Sequence, residues 1–379
     1  MTFENALNLW TERRLTQAEA ARMLGVCERT FRRYVLRYED HGLDGLIDKR
    51  LSQTSARKAP VDEVLALCDR YRSRHLGWNV RHFYAWYRKG GGRRGYTWVK
   101  NHLQEARLVP KAKKRGAHRK LRERAALPGM ILHQDGSTHQ WVSGRVWDLI
   151  VTMDDATSEH YSMFFVDQEG TASSFQGISE TIHAHGLFCA LYTDRGSHYW
   201  HTPKAGGKVD KKTLTQFGRA LHQLGIEMIP AYSPEARGRS ERAFRTHQDR
   251  LVKELAYNGI TTMAAANRYL NDVYRPAFNA EFTDPAREQG SAFVPAFNAP
   301  VDDILCEHFE RTVGRNNCVT FGRLTLQIPA DSHRCNYVKT KVRIHRYRDN
   351  SLAIFHGPRQ LARYQPNGDL ILTTNQQAA

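Results

Sequence analysis

The sequence predicts a multidomain protein with an all-α N-terminal part, a central α/β domain and a small C-terminal β-barrel. Three observations support this architecture. The chain has 379 residues, more than twice the roughly 150 residues of an ordinary domain. Apolar residues recur with helical periodicity in the first third, whereas from Gly129 onward they alternate as in strands. A further alternating stretch, from Asn316 to Leu372, has no helical period and predicts the barrel.

These patterns divide the chain into five segments. Residues 1–50 and 61–110 are predicted to be two helical domains, the first a helix-turn-helix and the second similar to one. Residues 111–127 are a basic linker, residues 128–275 the α/β domain, and residues 300–379 the β-barrel.

Charge is distributed unevenly along the chain. Residues 1–127 hold 29 Lys and Arg against 13 Asp and Glu, which accounts for +16 of the total net charge of +17. A fold needs no such asymmetry, whereas a polyanionic partner favours it, because cationic side chains displace the counterions of phosphates. Nucleic acid is therefore the expected partner. An anionic membrane is the alternative, but the sequence has no basic helix with a bulky apolar face.

The composition excludes several other classes of protein. With 41% hydrophobic and 25% charged residues, the chain is expected to fold rather than to be disordered. No apolar run approaches the roughly 18 residues of a membrane span, and residues 1–5 lack the basic start of a signal peptide. We therefore expect a cytoplasmic protein that does not bind membranes. The six cysteines form no C-x-x-C pair, which favours reduced packing residues over a zinc ribbon or disulfides.

Residues 17–34 have the spacing of a helix-turn-helix. The small Ala21 lets two helices cross closely, and Gly25 supplies the positive φ of the turn. Phe31 and Tyr34 are expected to fix the second helix to the core.

The second helix of this motif, about residues 28–38, is expected to read DNA. Thr16 and Glu19 form a capping box at the start of the preceding helix. Basic and polar side chains of the second helix face solvent, and such side chains suit a major groove. The predicted DNA contacts are Arg29, Thr30, Arg32, Arg33 and Arg37. The alternative is a helical hairpin with a solvated basic face.

A second helical segment, residues 61–108, is rich in aromatic side chains. A glycine-rich break at residues 90–95 precedes a helix at about 96–106, so a second helix-turn-helix is expected, with Lys100 and Asn101 facing DNA. The aromatic residues recur at helical spacing, which favours a packed core over a base-stacking surface.

The linker contains a strongly basic block from Lys111 to Arg124. Such a block is usually a solvated linker, but between two DNA-facing modules it can follow phosphates. We therefore expect Lys113, Lys114 and Arg115 to contact DNA.

The pattern from residue 128 predicts a mixed-sheet α/β domain. Three strands follow one another closely, after which helices and strands alternate. The predicted strands are 130–134, 146–153, 161–166, 187–193 and 227–230, and the predicted helices are 171–185, 213–224 and 239–257.

Three carboxylates are placed near the ends of these elements. Asp135 follows the first strand, Asp194 follows the fourth, and Glu241 lies in the first turns of the last helix. Adjacent central strands would bring the two aspartates together, and a helix over the sheet can direct Glu241 toward them. Because unpaired carboxylates repel one another, three oxygen donors in one place predict a bound Mg²⁺ or Mn²⁺.

Each of these residues has an alternative interpretation. A single aspartate at a strand end is more often a turn cap or an ion-pair partner. Glu235, beside Pro234 in the loop, competes with Glu241 for the third position. Asp154 and Asp155 form a further acidic pair, which we interpret as strand-end structure.

Two sequence words around the carboxylates carry a resemblance to a known family. Y-T-D-R-G-S at 192–197 and S-P-E-A-R-G-R-S-E-R-A-F at 233–244 resemble the ISNCY-type bacterial insertion-sequence transposases of the DDE transposase and retroviral integrase superfamily. The resemblance covers about residues 128–260, and the predicted order of domains matches as well. It implies a ribonuclease H-like fold on which the three carboxylates form the catalytic and metal-binding triad, with two Mg²⁺ (or Mn²⁺) ions.

The resemblance also implies a function. It is that of a DNA transposase, which binds the terminal inverted repeats of an insertion sequence, cleaves the DNA ends and transfers them into target DNA. The implied partners are double-stranded DNA and further copies of the chain, as a dimer or higher homo-oligomer at the bacterial nucleoid. Arg245, one turn after Glu241, and the basic loop 201–212 are expected to contact DNA. The alternatives are a catalytically silent, transposase-derived DNA-binding regulator and a ribonuclease H-like nuclease that cuts without joining.

Overall fold

The computed structural model describes the chain in two compact units, Met1–Asp69 and Arg70–Ala379. The described residues are 2–48, 59–111, 123–204, 207–232, 234–297, 299–330 and 333–371, without the side chains of residues 234–237. Among these residues, no helix combines the length and the apolar character that crossing a membrane requires.

The first unit contains the predicted helix-turn-helix. Its elements are α1 (Phe3–Thr11), α2 (Gln17–Met23), α3 (Glu28–His41) and a 3₁₀ helix (Gly42–Leu46). Ala21 and Phe31 are buried together with Val35, as small and large residues at a close helix crossing should be. Tyr34 is only half-buried and packs its ring against that of Phe3, with 6.1 Å between the ring centroids.

Two local signals in this unit have the predicted geometry. Gly25 has a φ of 70° in the turn between α2 and α3, a conformation that glycine adopts without strain. The amide of Glu19 donates to Thr16 Oγ1 at 3.3 Å, and the amide of Thr16 donates to the Glu19 carboxylate at 2.8 Å. This reciprocal pair is the predicted capping box.

A second helical segment follows. It comprises α4 (Val61–Arg74), which spans the boundary of the two units, α5 (Val80–Lys89) and α6 (Tyr96–Glu105). Trp78 and Phe83 are buried, and the Trp86 ring lies edge-on to that of Tyr257, with 4.7 Å between the centroids. The buried aromatic residues therefore form a core, as their spacing predicted, and Trp86 packs α5 against Tyr257 of the central domain.

The central domain is built on a five-stranded sheet in the order β3-β2-β1-β4-β5. β1, β2 and β3 are antiparallel neighbours, whereas β4 is parallel to β1 and β5 is parallel to β4. The strands are β1 (Ile131–Val142), β2 (Arg145–Asp154), β3 (His160–Val166), β4 (Ala190–Thr193) and β5 (Glu227–Pro230). This is the predicted mixed-sheet α/β domain.

Helices cover both faces of this sheet, and each face has its own apolar core. α7 (Thr171–His185) and α8 (Gln216–Gln223) pack on one face, around Leu132 and Leu191. The other face carries α9 (Pro234–Tyr257), α10 (Met263–Tyr269), a π-helical turn (Leu270–Tyr274) and α11 (Arg275–Phe282). Leu251 and Phe278 are buried there against Phe165 of β3. The long helix α9 therefore lies across the sheet, as predicted.

The C-terminal strands do not form the predicted barrel. After the short helix α12 (Val301–Ile304), the strands are β6 (Glu307–Thr312), β7 (Cys318–Phe321), β8 (Leu324–Gln327), β9 (Lys341–Arg346), β10 (Leu352–His356) and β11 (Arg359–Tyr364). They form a four-stranded sheet, β11-β10-β9-β6, and a separate two-stranded sheet, β7-β8. One core, which includes Val319 and Ile344, joins the two sheets. Alternation predicted strands within residues 316–372, but β6 precedes that stretch, and closure into a barrel depends on pairings that alternation does not encode.

Candidate active site

The two predicted aspartates both come just after the last residue pair between the neighbouring strands β1 and β4 of the central sheet. β1 and β4 pair in parallel through His133 and Tyr192, and Asp135 and Asp194 each follow two residues later. Each therefore comes two positions after the last pair of this parallel ladder, at the edge of the sheet where β4 ends.

The sequence-based boundary of the first strand was wrong. Asp135 does not follow the strand but lies inside β1, which continues to Val142. The strand continues because β2 pairs with it through Gly136 and Ser137. Asp194 does follow its strand, as predicted.

Each aspartate accepts a hydrogen bond from a nearby backbone amide. Asp135 is buried, and its Oδ1 accepts from the amide of Gly136 at 3.1 Å. Asp194 is half-buried, and its Oδ1 accepts from the amide of Gly196 at 2.8 Å. These bonds restrict the carboxylate rotamers, which is what a site that must hold fixed oxygen donors requires.

Alternation along β1 determines which face Asp135 occupies. His133 and Ser137, two residues to either side, both connect to α9. Ser137 Oγ accepts from Gln248 Nε2 at 3.0 Å, and His133 Nε2 lies 2.7 Å from Asp155, the partner of Arg239. Since residues at i and i+2 share a face of a strand, Asp135 is on the face that α9 covers.

Glu241 lies on α9 between these two contacts. At one end of residues 239–248, Arg239 pairs with Asp155, which also bonds to His133 of β1. At the other end, Gln248 donates to Ser137 of β1. Glu241 and Gln248 are about two helical turns apart and therefore on the same face of α9. The exposed Glu241 is thus on the side of the helix that faces β1. The side chain of the competing Glu235 lies outside the described residues.

A further carboxylate, which the sequence analysis missed, lies behind β1, on the face opposite Asp135. Glu169, just before α7, lies against Gly136, where a Cβ would meet its Oε2 at 2.3 Å. His198 Nε2 is 3.5 Å from its Oε1. No local signal marks Glu169, because only the fold brings it beside β1.

Tyr199 lies behind this carboxylate. Its hydroxyl is fully buried and donates to Gln134 Oε1 at 3.2 Å, with Glu169 Oε1 at 3.5 Å. Burial, reinforced by the negative charge of Glu169 and of the two aspartates, raises the pKa of Tyr199 well above its usual range. The phenol therefore keeps its proton and acts as a hydrogen-bond donor beneath the carboxylates.

Asp154 and Asp155 have the structural role that was predicted. Asp154 accepts hydrogen bonds from the amides of Gly129 at 2.9 Å and Thr157 at 2.8 Å. Asp155 accepts from His133 and Arg239. Although burial opposes ionisation, His133 first and Arg239 next hold the pKa of Asp155 below its usual value. Both side chains are therefore committed to buried networks rather than to the site.

The predicted DNA-contacting residues are distributed over both units. In the first unit, α3 exposes four arginines, Arg29, Arg32, Arg33 and Arg37, whereas Thr30 is half-buried with its Oγ1 3.2 Å from Cys27 Sγ. In the second unit, Asn101 and Arg245 are exposed and Lys100 is half-buried. Lys113, Lys114 and Arg115 lie outside the described residues.

The basic loop after β4 is closed at its base. His201 and Asp210 form an isolated β-bridge, which joins the two ends of the loop. Residues 205 and 206 of this loop are not among the described residues. Arg195, next to Asp194, donates to the carbonyl of Gly207 at 3.0 Å. Arg195 therefore connects this loop to the end of β4, and the loop's Lys204 and Lys208 are exposed.

The donor set fits a hard divalent cation. The two neighbouring aspartates and the glutamate on α9 offer only carboxylate oxygens, which Mg²⁺ and Mn²⁺ prefer over nitrogen or sulfur donors. Among the described residues, the oxygens of these three side chains do not all lie within 4.8 Å of one another, so it is their chemistry, and not a closed coordination geometry, that fits the cation.

Comparison with known proteins gives consistent results. A family model described as a winged helix-turn helix matches residues 8–63. The transposase homologue y4bF of Sinorhizobium fredii (strain NBRC 101917 / NGR234) is 30% identical over 357 residues, covering 90% of this chain and 75% of that protein. The transposase for insertion sequence IS1202 of Streptococcus pneumoniae is 30% identical over 201 residues, or 53% of this chain and 43% of that protein.

Two viral structures also show limited similarity. The simian T-cell lymphotropic virus intasome in complex with the PP2A regulatory subunit B56 gamma gives a TM-score of 0.34 and 15% identity, over 69% of this chain and 84% of that one. The HTLV-2 integrase catalytic core domain in complex with magnesium gives 0.31 and 17%, over 40% and 90%. These TM-scores are low, so the family assignment depends on the sequence relatives. By its similarity to y4bF along most of both sequences, the chain belongs to the DDE transposase/integrase superfamily.

Proposed function

We propose that this chain is a DNA transposase that binds the terminal inverted repeats of an insertion sequence, cleaves the DNA ends and transfers them into target DNA. The observation that carries the proposal is the parallel pairing of β1 and β4 up to His133 and Tyr192, two residues before Asp135 and Asp194, with Glu241 on the helix that covers this face of the sheet. Divalent cations bound by these carboxylates would stabilise charge on the attacking and leaving oxygens of a phosphodiester.

Two displacements at phosphorus make up the proposed reaction. In the first, water attacks the phosphodiester at the element's end, the bond from phosphorus to the 3′ oxygen breaks, and the 3′ hydroxyl is released. In the second, that hydroxyl attacks a phosphodiester of the target, a new P–O bond forms, and a target 3′ hydroxyl leaves. Each step consumes one hydroxyl and releases one, so no oxidant, reductant or covalent protein intermediate is needed.

The remaining residues of the site orient the reacting groups in this proposal. The amides of Gly136 and Gly196 fix the aspartates, and buried Tyr199 supports Glu169 behind them. Arg245 and the basic loop after β4 hold the phosphate backbone through exposed cations, whose effect is screened by salt.

An assay on DNA ends tests the catalytic part. Full-length protein is incubated with Mg²⁺ and labelled duplexes of the inverted repeats that bracket the gene. We expect Asp194→Asn to lower the rate of strand transfer by about 10³-fold, equivalent to about 4 kcal/mol, while end binding in mobility-shift assays is unchanged.

The matched control for this assay is Glu227→Gln. Glu227 is an exposed carboxylate at the opposite end of the same sheet, and its neutralisation should leave strand transfer unchanged. Wild-type protein that binds the ends but neither cuts nor joins them in Mg²⁺ or Mn²⁺ would support the regulator instead. Cleavage without joining would support the nuclease.

The third carboxylate is tested separately. Glu241→Gln should abolish strand transfer as completely as Asp194→Asn, because the proposal places it among the metal donors. Full activity in Glu241→Gln together with loss of activity in Glu235→Gln would transfer this role to Glu235.

The proposal assigns recognition of the ends to α3. Arg32→Ala and Arg33→Ala should relax the preference for terminal-repeat sequence, each by about 1–3 kcal/mol, while Arg22→Ala on the preceding helix serves as a control. Unchanged selectivity in the Arg32→Ala/Arg33→Ala double variant would remove α3 from the recognition surface.

We also propose that the active form contains at least two chains. One triad serves one DNA end at a time, whereas inserting an element joins two ends to one target. Native mass spectrometry of the protein with paired terminal-repeat duplexes should find two or more chains per pair of ends. A one-chain complex that still integrates both ends in concert would contradict this proposal.

A further inference from the structure

One histidine beside the carboxylate site has no role in the chemistry proposed above. His198 lies four residues after Asp194, in the turn that follows β4. We propose that His198 is a positioning residue, which connects Asp194 to Glu169 and so restricts the Asp194 carboxylate for binding a divalent cation. This role rests on the proposed carboxylate site and adds a residue that supports it.

The backbone of the turn that carries His198 is fixed. The carbonyl of Gly196 accepts hydrogen bonds from the amides of Tyr199 at 3.0 Å and Trp200 at 2.9 Å. The indole of Trp200 donates to Thr193 Oγ1 at 2.9 Å, which anchors the end of the turn to β4. The position of the His198 ring therefore depends mainly on its own side-chain rotamer.

Gly196 allows the histidine ring to approach the Asp194 carboxylate. A Cβ on Gly196 would lie 3.0 Å from Asp194 Oδ1, 3.0 Å from His198 Cε1 and 3.2 Å from His198 Nδ1. Such contacts are tighter than most that a Cβ makes. The carboxylate oxygen and one edge of the ring thus flank the space that a side chain at position 196 would need.

The other nitrogen of the ring lies beside Glu169. His198 Nε2 is 3.5 Å from Glu169 Oε1, and within the described part of the chain this buried nitrogen has no hydrogen-bond partner. Buried polar atoms are rarely left without one. A small rotation of the ring brings Nε2–H within hydrogen-bond distance of Oε1. Glu169 is therefore the acceptor that we assign to His198.

Glu169 is itself held in place. Its backbone amide donates to Oδ2 of the buried Asp148 at 2.6 Å. Its Oε1 accepts from the hydroxyl of Tyr199 at 3.5 Å, and its Oε2 packs against Gly136 of β1. A fixed carboxylate on one side of the imidazole restricts the ring, and the ring in turn restricts the Asp194 carboxylate on its other side.

The alternative role for His198 is packing alone. Its ring contacts that of Tyr199, with 3.9 Å between the centroids and 45° between the planes. A phenyl ring would serve this packing as well as an imidazole, whereas a hydrogen bond to Glu169 requires Nε2–H. The two roles therefore predict different results for substitutions of His198.

Asp194 gains from such support because it lies in a turn. It is half-buried, and its Oδ1 accepts one hydrogen bond, from the amide of Gly196. A side chain that is already restricted loses less rotamer entropy when it binds a cation. Residues that orient metal ligands typically change metal affinity by about 10–100-fold, and we expect the lower end of this range because His198 restricts one ligand of three.

Binding of Mn²⁺ to the full-length protein without DNA tests the proposal. Electron paramagnetic resonance measures free Mn²⁺ and hence the dissociation constant, and Asp194→Asn defines the part of the binding that belongs to the carboxylate site. We expect His198→Phe, which keeps a ring but removes both nitrogens, to weaken this binding about tenfold. His222→Phe, at an exposed histidine of α8, is the matched control and should bind Mn²⁺ as the wild type does.

Two amide substitutions separate the two nitrogens of the ring. The side-chain nitrogen of Gln takes the place of Nε2, whereas that of Asn reaches only the place of Nδ1. His198→Gln should therefore retain most of the Mn²⁺ affinity, and His198→Asn should lose as much as His198→Phe. Wild-type affinity in His198→Phe would overturn the proposal, and a loss in both amide variants alone would support packing on Tyr199. If His198→Phe does not fold, the two amide variants decide.

A double variant tests whether His198 acts through Glu169. If the two side chains act as one unit, Glu169→Gln/His198→Phe should weaken Mn²⁺ binding no more than the more severe single variant. Losses that simply multiply would show that His198 acts without Glu169 and would contradict the proposed connection.

The outcome is separable from that of the proposed function, because Mn²⁺ affinity is measured without DNA. In an active protein, His198→Phe should also raise the Mg²⁺ concentration for half-maximal strand transfer about tenfold, which a loss of folded protein would not do. Strand transfer by the wild type, with unchanged Mn²⁺ affinity in His198→Phe, would refute only the role of His198. An inactive wild type in which His198→Phe still weakens Mn²⁺ binding would refute only the proposed function.

Discussion

The two units of the chain differ in what they bury. Within the described part of residues 1–69, every buried side chain is apolar, and the only other buried residue is Gly45. Residues 70–379 bury charged and titratable groups, among them Asp155, His247 and Arg250. A buried polar group must find partners or destabilise the fold. The first unit is therefore stabilised mainly by apolar packing, with hydrogen bonds such as the cap at Thr16 outside its core, whereas the second also depends on buried hydrogen-bond networks.

This difference agrees with the roles proposed for the two units, DNA binding for the first and the carboxylate site for the second. A surface that reads DNA needs exposed cations on a stable helix, and any well-packed support will suffice. A site that holds several carboxylates close together needs each side chain fixed by its neighbours. The networks around Asp155 and Tyr199 supply that support, and they make the second unit more sensitive to pH and to loss of single polar atoms.

The largest expected difference between the two units is in acid, which should destabilise the second unit far more than the first. His160 and His247 are fully buried with their Nε2 atoms 3.0 Å apart. Burial, reinforced by the charge of Arg275, lowers the pKa of His160 to about 4, and burial also holds that of His247 well below its usual value. Between about pH 4 and 6.5 the unfolded state binds more protons, so the stability of the second unit falls as the pH falls. His160 alone accounts for on the order of 3 kcal/mol.

Hydrogen exchange of the full-length protein measures this separation. Peptides from β1 to α11 should lose protection between about pH 7 and pH 4.5, after correction for intrinsic rates, while peptides from α1 to α3 keep theirs. Asp154, whose pKa is raised by burial, acts in the opposite sense and limits the effect. Equal loss of protection in both units would show that buried histidines do not cause the difference.

The next largest expected effect is the loss of stability caused by removing the Asp155 carboxylate from its buried network. Asp155→Ala should lower the free energy of unfolding of the second unit by about 3–5 kcal/mol, because it leaves Arg239 and His133 without their buried acceptor. Asp284→Ala is the control, since that side chain pairs with Arg124 at 2.6 Å but is 60% exposed; its loss should change stability by about 1 kcal/mol or less. Urea denaturation followed by circular dichroism measures both variants. Similar midpoints for the two would contradict the comparison.

A smaller effect is expected on activity. Glu169→Gln should reduce strand transfer about 10–100-fold, because Glu169 positions the site from behind rather than belonging to the triad. It should also raise the Mg²⁺ concentration for half-maximal rate, which a purely structural role would not. Asp167→Asn, an exposed neighbour, is the control. An unchanged Mg²⁺ dependence would limit Glu169 to a role in folding.

The smallest effect belongs to the first unit. Thr16→Ala removes the cap of α2 and should destabilise this unit by about 1 kcal/mol, with no change in the second. Thr11→Ala, whose exposed hydroxyl bonds only to the carbonyl of Leu7 at 2.9 Å, should change stability by less than about 0.5 kcal/mol. Hydrogen exchange in α2 reports the difference. Loss of protection that extends into β1 would show that the units are not independent.

Local chemistry made much of the fold predictable from the sequence. The turn at Gly25 and the cap at Thr16 depend on residues within a few positions of one another, and both have the expected geometry. Asp135 and Asp194 were expected to lie together if their strands were adjacent, and β1 and β4 are parallel neighbours, which bring their carboxyl-terminal ends to the same edge.

Features that depend on distant contacts were not predictable. The first strand was predicted to end at residue 134, but β1 continues through Gly136, whose missing side chain makes room for Glu169. The cysteines were expected to be packing residues, and only the β6–β9 register brings Cys306 near two histidines. Pairing between strands far apart in sequence is the information that a periodic pattern lacks.

Helix α9 also sets a distance. Its Glu241 lies beside β1, whereas Glu254, farther along the same helix, lies 2.7 Å from His82 of α5. Thirteen residues of α-helix separate these two glutamates, which corresponds to about 20 Å. One helix therefore connects α5 with the stretch that carries Glu241. If a duplex contacts both ends of this stretch, the length corresponds to about six base pairs.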